Sequence, residues 1–374
     1  MNQERSISPQ KRSRTTSYTQ SVKDGDAPRA YSPAFETVIA EHGLHMEVLK
    51  GRRLVSEGSK TLCQQLLQAQ HERPAYSSYP LAEFLSVQDR VRTRNESKIF
   101  RDLTPLLVPS PELLFVSGHQ ALEHVRDEIS VEWSKGKTMG GPRPKPDCAI
   151  GMASSAFTDE ESAKLKNYAS YERPTLFTDH LYFPFLLCET KCGNEGLDRA
   201  DRQNMHSGSI AVDAIVQLYR AIGSGRESAL NGEIIVFSIS HNHESVKLYG
   251  HFPIIQGAEV SFYRYHATTF ILGLEEEDWR RPHDCVREIY KVFYPAHLQR
   301  IRHALSEMGD PRLDSTSEIT DAEEIDSQIA EESTASSQDA MAFKIPNAPA
   351  SKKVKGGLAT VGAQFARLDQ HYKE

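Results

Sequence analysis

No apolar run in this 374-residue chain approaches the roughly 20 residues that a helix needs to cross a bilayer, so no membrane span is expected. Cysteine is scarce. Cys63, Cys148, Cys188, Cys192 and Cys285 are scattered and odd in number, which excludes a disulfide-stapled scaffold and fits free thiols in a reducing compartment. Residues 1–14 are polar and basic and hold no apolar stretch of the kind that a secretory signal carries. The expected location is therefore intracellular, in the nucleus or cytoplasm. There is no Walker loop, no GxGxxG after a strand and no Gly-x-Ser-x-Gly elbow, which leaves ATP-driven phosphoryl transfer, dinucleotide chemistry and serine hydrolysis without support. Cys188-x-x-x-Cys192 has no second pair at zinc-site spacing, so core packing is expected for Cys188 and a turn for Cys192. His241-Asn242-His243 is a contiguous tripeptide that reads as a hairpin turn and not as spaced metal ligands.

What is present is the composition of a globular protein: 39% hydrophobic and 25% charged residues. Charge is unevenly spread. Residues 310–339 carry ten acids against Arg312 alone, whereas residues 1–30 carry +3 and residues 340–374 carry +4, leaving −5 of the net −7 on the middle of the chain. Residues 1–30 read as a disordered basic tail. Within it, Lys11-Arg12-Ser13-Arg14 is readable as a nuclear-localisation patch or as a solubilising tail. Residues 309–374 read as a disordered tail, acidic and then basic, and the acidic part suits a protein partner. One folded domain is expected between them, over 31–308, with its core from about 84.

Within that domain the periodicity predicts two short helices before residue 70 and a proline loop at 74–80. A helix over 84–103 and another over 111–133 follow. Arg90, Arg92, Arg94, Lys98 and Arg101 give the first of these a basic outer surface, while Ile99 and Phe100 place Glu96 beside its apolar face. Strands are expected at 147–151 and 182–190, separated by a polar insertion with one short helix over 159–168 capped by Thr158. A long helix over 197–222, ended by Gly223 and Gly225, leads into a hairpin (233–240 with 245–252) and a second hairpin (259–265 with 268–272). A final helix spans 278–308 with a break at Pro295. This order predicts an α/β fold, a mixed central sheet flanked by helices.

The chemistry concentrates in Tyr182-Phe183-Pro184-Phe185-Leu186-Leu187-Cys188-Glu189-Thr190-Lys191. In an extended strand Phe185, Leu187, Glu189 and Lys191 share one side. A charged pair at the end of such a buried strand must be partnered or hold a metal. Pro146-Asp147 opens the preceding strand, so Asp147, Glu189 and Lys191 could converge. Two carboxylates, with the Thr190 carbonyl as a third oxygen, suit a hard cation such as Mg²⁺ or Mn²⁺, and an amine beside it suits either positioning or deprotonating a water or neutralising charge on a phosphate. The bland reading is an ion pair at a strand end and a turn residue after Pro146.

Pro146-Asp147 followed by Glu189-Thr190-Lys191 resembles the PD-(D/E)XK signature of restriction-endonuclease-like nucleases. The text around it, Arg94-Asn95-Glu96, Pro144-Lys145-Pro146-Asp147, Phe183-Pro184-Phe185 and Arg202-Gln203-Asn204, is similar to a fungal family of unknown function carrying that signature. The resemblance covers about 32–308. It implies a restriction-endonuclease-like core with Asp147 and Glu189 as metal ligands, Lys191 as the catalytic amine, Glu96 as a helix-borne supporting acid and Gln203 as a phosphate- or lysine-contacting residue. Gln203 and Asn204 also read as ordinary first-turn polar residues, and His206 as a solvated histidine. The resulting expectation is a metal-dependent nuclease acting on DNA or RNA. The alternative is an inactive domain of the same fold that binds a protein or nucleic acid.

Overall fold

The computed structural model describes residues 31–71, 81–193, 196–273 and 279–309. The two expected disordered tails and the 74–80 loop lie outside these residues, apart from residue 309. Three short helices come first, α1 (Phe35–Glu41), α2 (Val48–Leu54) and α3 (Glu57–Gln68), with a two-residue strand β1 (Leu44–His45) after α1. Helices α4 (Leu81–Val91), α5 (Glu96–Asp102), α6 (Thr104–Leu107) and α7 (Pro111–Val116) lead into strands β2 (Val125–Ile129) and β3 (Cys148–Met152). Then come α8 (Asp159–Tyr168), β4 (Tyr182–Thr190), the 24-residue α9 (Asp198–Ala221) and the strands β5 (Val236–His241), β6 (Ser245–Gln256) and β7 (Glu259–Ile271). Helices α10 (Arg281–Glu288) and α11 (Tyr294–Glu307) close the described chain.

The seven strands form one mixed sheet in the order β1-β7-β6-β5-β4-β3-β2, flanked by helices, so the α/β expectation holds. Strand β3 runs antiparallel to both β2 and β4, β4 and β5 run parallel, and β5, β6 and β7 form an antiparallel meander. The parallel step requires a crossover, which α9 provides. Strand β4 is central and buried over all but its first residue, as its unbroken apolar text demands. Pro184 could not donate to a central ladder. It sits where the β3–β4 register slips, between Ile150↔Leu186 and Met152↔Tyr182.

The two faces have different covers. Ser238 bonds His251 Nε2 at 2.7 Å, and a Cβ on Gly208 of α9 would lie 2.8 Å from the His251 ring, so α9 covers the Ser238 face. On the opposite face Phe237 meets Phe293, with ring centroids 4.9 Å apart. Phe185 stacks on Tyr294 at 5.5 Å on that same side, so the register slip removes it from the side shared by Leu187 and Glu189. Each such ring buried contributes about 1.5–3 kcal/mol.

Several expected elements are corrected. The first segment holds three helices and a strand where two helices were expected. The 84–103 helix is two, because the Asn95 side chain accepts from the Lys98 N–H and starts α5 anew. The 111–133 helix ends at Val116. Residues 125–129 pair with β3 as an edge strand whose unbroken run of charged residues, Arg126-Asp127-Glu128, conceals it. The second hairpin is one strand, β7, which pairs along β6 and accommodates Ala267 as an extra residue between Tyr249↔His266 and Leu248↔Thr268. The final helix breaks into a π-turn over Ile289–Phe293, just ahead of Pro295, which cannot donate within a continuous helix. By contrast, Thr158 caps α8 in a full capping box with Glu161.

Candidate functional site

Cys148 stands opposite Cys188 in the β3–β4 ladder. Extending that antiparallel register by one residue sets Asp147 opposite Glu189, on a common side of the sheet. The Thr190 N–H donates to Asp147 Oδ2 at 2.8 Å, which fixes the aspartate at the mouth of β3. The long polar insertion of the sequence folds as α8 and its loops and leaves the two strands adjacent. Lys191 follows directly on β4 and is held there by its N–H, which donates to the His241 carbonyl at 2.9 Å.

The Lys191 ammonium is enclosed by three oxygens. It donates to the Thr190 carbonyl at 2.6 Å and to Glu96 Oε1 at 3.4 Å, and lies 3.6 Å from Glu189 Oε2. Glu189 and Lys191 are both 2% exposed. Glu96, in the first turn of α5, is the partner on the solvent side, its side chain 38% exposed. Among the described residues Glu189 Oε2 is buried without a hydrogen bond. Burial pushes the Glu189 carboxyl well above the usual carboxylate range, Asp147 raises it further, and Lys191 opposes them. Burial also raises Asp147, against the pull of Lys191 and the Thr190 N–H. The site is thus an electron-rich, poorly solvated group of acids around one cation.

The site stands on a second buried network on the other side of β4. The Thr104 and Thr190 hydroxyls both lie within hydrogen-bond reach of His241 Nε2, at 2.9 and 3.0 Å. Burial holds His241 down at about 4, so the ring is neutral at physiological pH. His241 is therefore the last residue of β5 and a strut under the Glu-x-Lys end. The reversal falls on Asn242, whose Oδ1 accepts the N–H groups of Glu244 and Ser245.

Among the described residues the Lys191 amine bonds to Glu96 and the Thr190 carbonyl. Gln203 is half-buried on α9 with its Oε1 enclosed and unbonded. Asn204 is no first-turn surface residue either. It is buried and donates to the Ile239 carbonyl and to Ser240 Oγ, each at 2.9 Å, locking α9 onto β5. His206 is fully buried, not solvated. Its Nε2 bonds the Thr138 carbonyl and its Nδ1 lies 3.3 Å from the Tyr31 hydroxyl.

Tyr31 is the site residue that the motif did not announce. The Arg202 guanidinium donates to the Tyr31 carbonyl at 2.9 Å and to Glu36 Oε1 at 3.1 Å, tying the start of the described chain to α9. Burial raises the Tyr31 phenol, and the nearby Glu189 raises it further. The ring therefore lies within electrostatic reach of the acids. The signal for it was Tyr31-Ser32-Pro33-Ala34-Phe35, an aromatic pair at helix-entry spacing whose rings pack edge to face at 4.9 Å.

Among the described residues no three His, Cys, Asp or Glu side chains gather closely enough to hold a metal ion by themselves. A hard cation here would draw on Asp147, Glu189 and water or a ligand oxygen, as Mg²⁺ commonly does with one or two carboxylates. The unbonded Glu189 Oε2 and the mutual repulsion of the acids fit that demand.

Fold and site define an α/β protein with a buried acid–acid–amine centre at one end of a mixed sheet. Residues 83–305 match a family described as a domain of unknown function, DUF7924, and the chain belongs to it. The match includes Glu96, Asp147, Glu189, Lys191 and Gln203 and begins after Tyr31. A search of curated proteins finds no match.

Proposed function

We propose that this domain is a divalent-metal-dependent phosphodiesterase acting on DNA or RNA, as its likeness to PD-(D/E)XK nucleases implies. The supporting observation is the opposition of Asp147 and Glu189 across β3 and β4 beside the buried Lys191 ammonium. Asp147 and Glu189 would hold Mg²⁺ or Mn²⁺, which when bound supplies an acidified water and neutralises phosphate charge. Lys191 donates hydrogen bonds toward the negative charge that builds on the phosphoryl oxygens, and its burial strengthens that interaction. Glu96 and the Thr190 carbonyl hold the amine in place. Incubation with single- and double-stranded DNA and RNA in Mg²⁺ or Mn²⁺ tests the reading. Cleavage should fall by roughly 10²–10³ in Lys191→Ala, the loss typical of one such electrostatic donor. Cutting by that variant at the wild-type rate would refute it.

A second reading keeps the fold without catalysis: an interaction module for a protein or nucleic acid. It is favoured by the lack of a self-sufficient metal cluster among the described residues and by the −5 carried by the middle of the chain. Titration calorimetry with Mn²⁺ separates the two. Heat that disappears in Asp147→Ala supports the enzyme, and identical traces support the module.

A further inference from the structure

The break between α4 and α5 that the sequence conceals does more than redirect the chain. It folds a basic helix face into a cleft of about 600 Å³, lined by Arg90, Arg94, Lys98 and Arg101 with Asp102 and Leu106 among its other walls. Asp102 answers two of the four cations: Arg101 Nε lies 2.7 Å from its Oδ1, and Lys98 bonds its Oδ2. Arg90 and Arg94 are exposed and have no acidic partner among the described residues. Four bases facing one acid inside a concavity contrast with a chain whose middle carries −5. Such a concentration focuses an attractive potential on anions. An ordinary solvated face would radiate its charges outward and pair them.

We propose that this cleft is the docking track for the phosphate backbone of a nucleic acid. The inference rests on the phosphodiesterase reading, because the cleft and the candidate centre share α5. Arg94 and Lys98 flank Glu96 by two residues on either side, and Glu96 binds Lys191. Lys98 and Arg101, three apart on one helix, stand about 5–6 Å from each other at their Cβ atoms, a separation that consecutive phosphates can bridge. Arginine is suited to the contact because its planar fork binds two phosphate oxygens at once. The mix of charged walls with Val87 and Leu106 also leaves an apolar strip for sugars and base edges. Contacts of this kind place a strand without reading its sequence.

The test is binding without cleavage. Anisotropy of labelled oligonucleotides about 20 nucleotides long, single- and double-stranded DNA and RNA, is measured on the full chain in EDTA at about 50 to 200 mM salt, where counterion release makes affinity salt-dependent. Arg90→Glu/Arg94→Glu should weaken binding at least about tenfold and lower the slope of log K against log salt by about 1.4–1.8, two phosphates' worth. Arg52→Glu/Arg53→Glu, reversing two exposed arginines on α2, should change affinity less than about twofold, since their contribution is long-range and screened. Preference among the four oligonucleotides assigns strandedness and sugar. Wild-type binding that the cleft variant retains would overturn the proposal, as would no binding to any of the four at the lowest salt. Tighter capture of polyglutamate than of every oligonucleotide, lost in the same variant, would overturn it in favour of an acidic peptide. The chemistry is scored separately, in Mg²⁺, where Lys191→Ala should cut roughly 10²–10³-fold more slowly than wild type. Binding that needs the cleft but never leads to cleavage removes the phosphodiesterase and leaves the track standing.

Discussion

Replacing Glu189 with Gln should stabilise the metal-free protein, by an amount that grows with pH. Burial is the main force raising this carboxyl, Asp147 adds to it, and Lys191 at 3.6 Å does not offset them. The folded state therefore keeps its proton to higher pH than the unfolded chain, in which the group ionises near 4.5. A raised acid costs stability once pH passes the unfolded value, and the cost stops growing above the folded one. Each pH unit between them is worth about 1.4 kcal/mol, so by pH 7, 2.5 units above 4.5, the ceiling is about 3 kcal/mol. Gln keeps the shape and does not titrate. Urea unfolding in EDTA should show wild type and variant nearly equal at pH 4.5–5. By pH 7.5 the variant should lead by about 1–3 kcal/mol, or roughly 2–10 °C in Tm for a domain this size. Millimolar Mn²⁺ should then reverse the ranking, since a cation that binds only the folded wild type adds RT ln(1 + [L]/Kd). A variant less stable than wild type at both pH values would show that Glu189 is an ionised, well-paired partner of Lys191. Asp147 and Glu189 would then not form a strained acid pair.

Two further outcomes follow from other parts of the fold. Burial holds His206 and His241 down at about 4 and His251 at about 3. Their contribution is complete above the unfolded value of 6.5 and is lost as pH falls from 6.5 toward 4, by about 3 kcal/mol for each of the first two. The urea midpoint should drop steeply between pH 6.5 and 5, and a flat profile there would contradict neutral buried rings. Gly51→Ala should destabilise by about 1–3 kcal/mol, because its Cβ would lie 2.0 Å from the Arg264 carbonyl where α2 rests on β7. Gly58→Ala, in α3 with nothing nearer than 3.9 Å, should be neutral or stabilise by up to about 1 kcal/mol. Equal melting shifts for the two variants would refute the packing argument.

The elements legible in the text were those whose burial matched one period. Strand β4 is apolar on both sides because helices cover both faces, and the later turns of α9 carry small and apolar residues nearly all round because the helix lies across β4, β5, β6 and β7. The elements missed had their signal divided. Strand β2 is Val-Arg-Asp-Glu-Ile at a sheet edge, where Arg126, Asp127 and Glu128 can stay half-exposed, so its composition reads as helix surface. The α4–α5 break depends on one capping side chain, Asn95, inside a helical pattern that continues on both sides of it. At β7 the bulge at Ala267 shifted the alternation and split one strand into two apparent ones.

The candidate centre was legible for a reason that does not extend to its surroundings. Asp147 and Glu189 each sit at the end of a strand whose partner is its neighbour in the sheet, so alternation and antiparallel register together bring them face to face. Nothing comparable ties Tyr31 to Glu189. Their approach depends on Arg202 capturing a carbonyl 171 positions earlier in the chain and on His206 turning a buried ring toward the phenol. The same holds for Thr104 and His241, which are joined by a hydroxyl–imidazole bond across 137 positions. Local text encodes which groups leave a strand end. The shell that orients them, removes water from them and shifts their proton affinity comes from separate segments whose residues are individually ordinary. Asn204 makes the same point. It reads as a first-turn polar residue, yet its buried amide donates to the Ile239 carbonyl and to Ser240 Oγ and locks α9 onto β5. A helical residue is placed by the contacts of its whole helix.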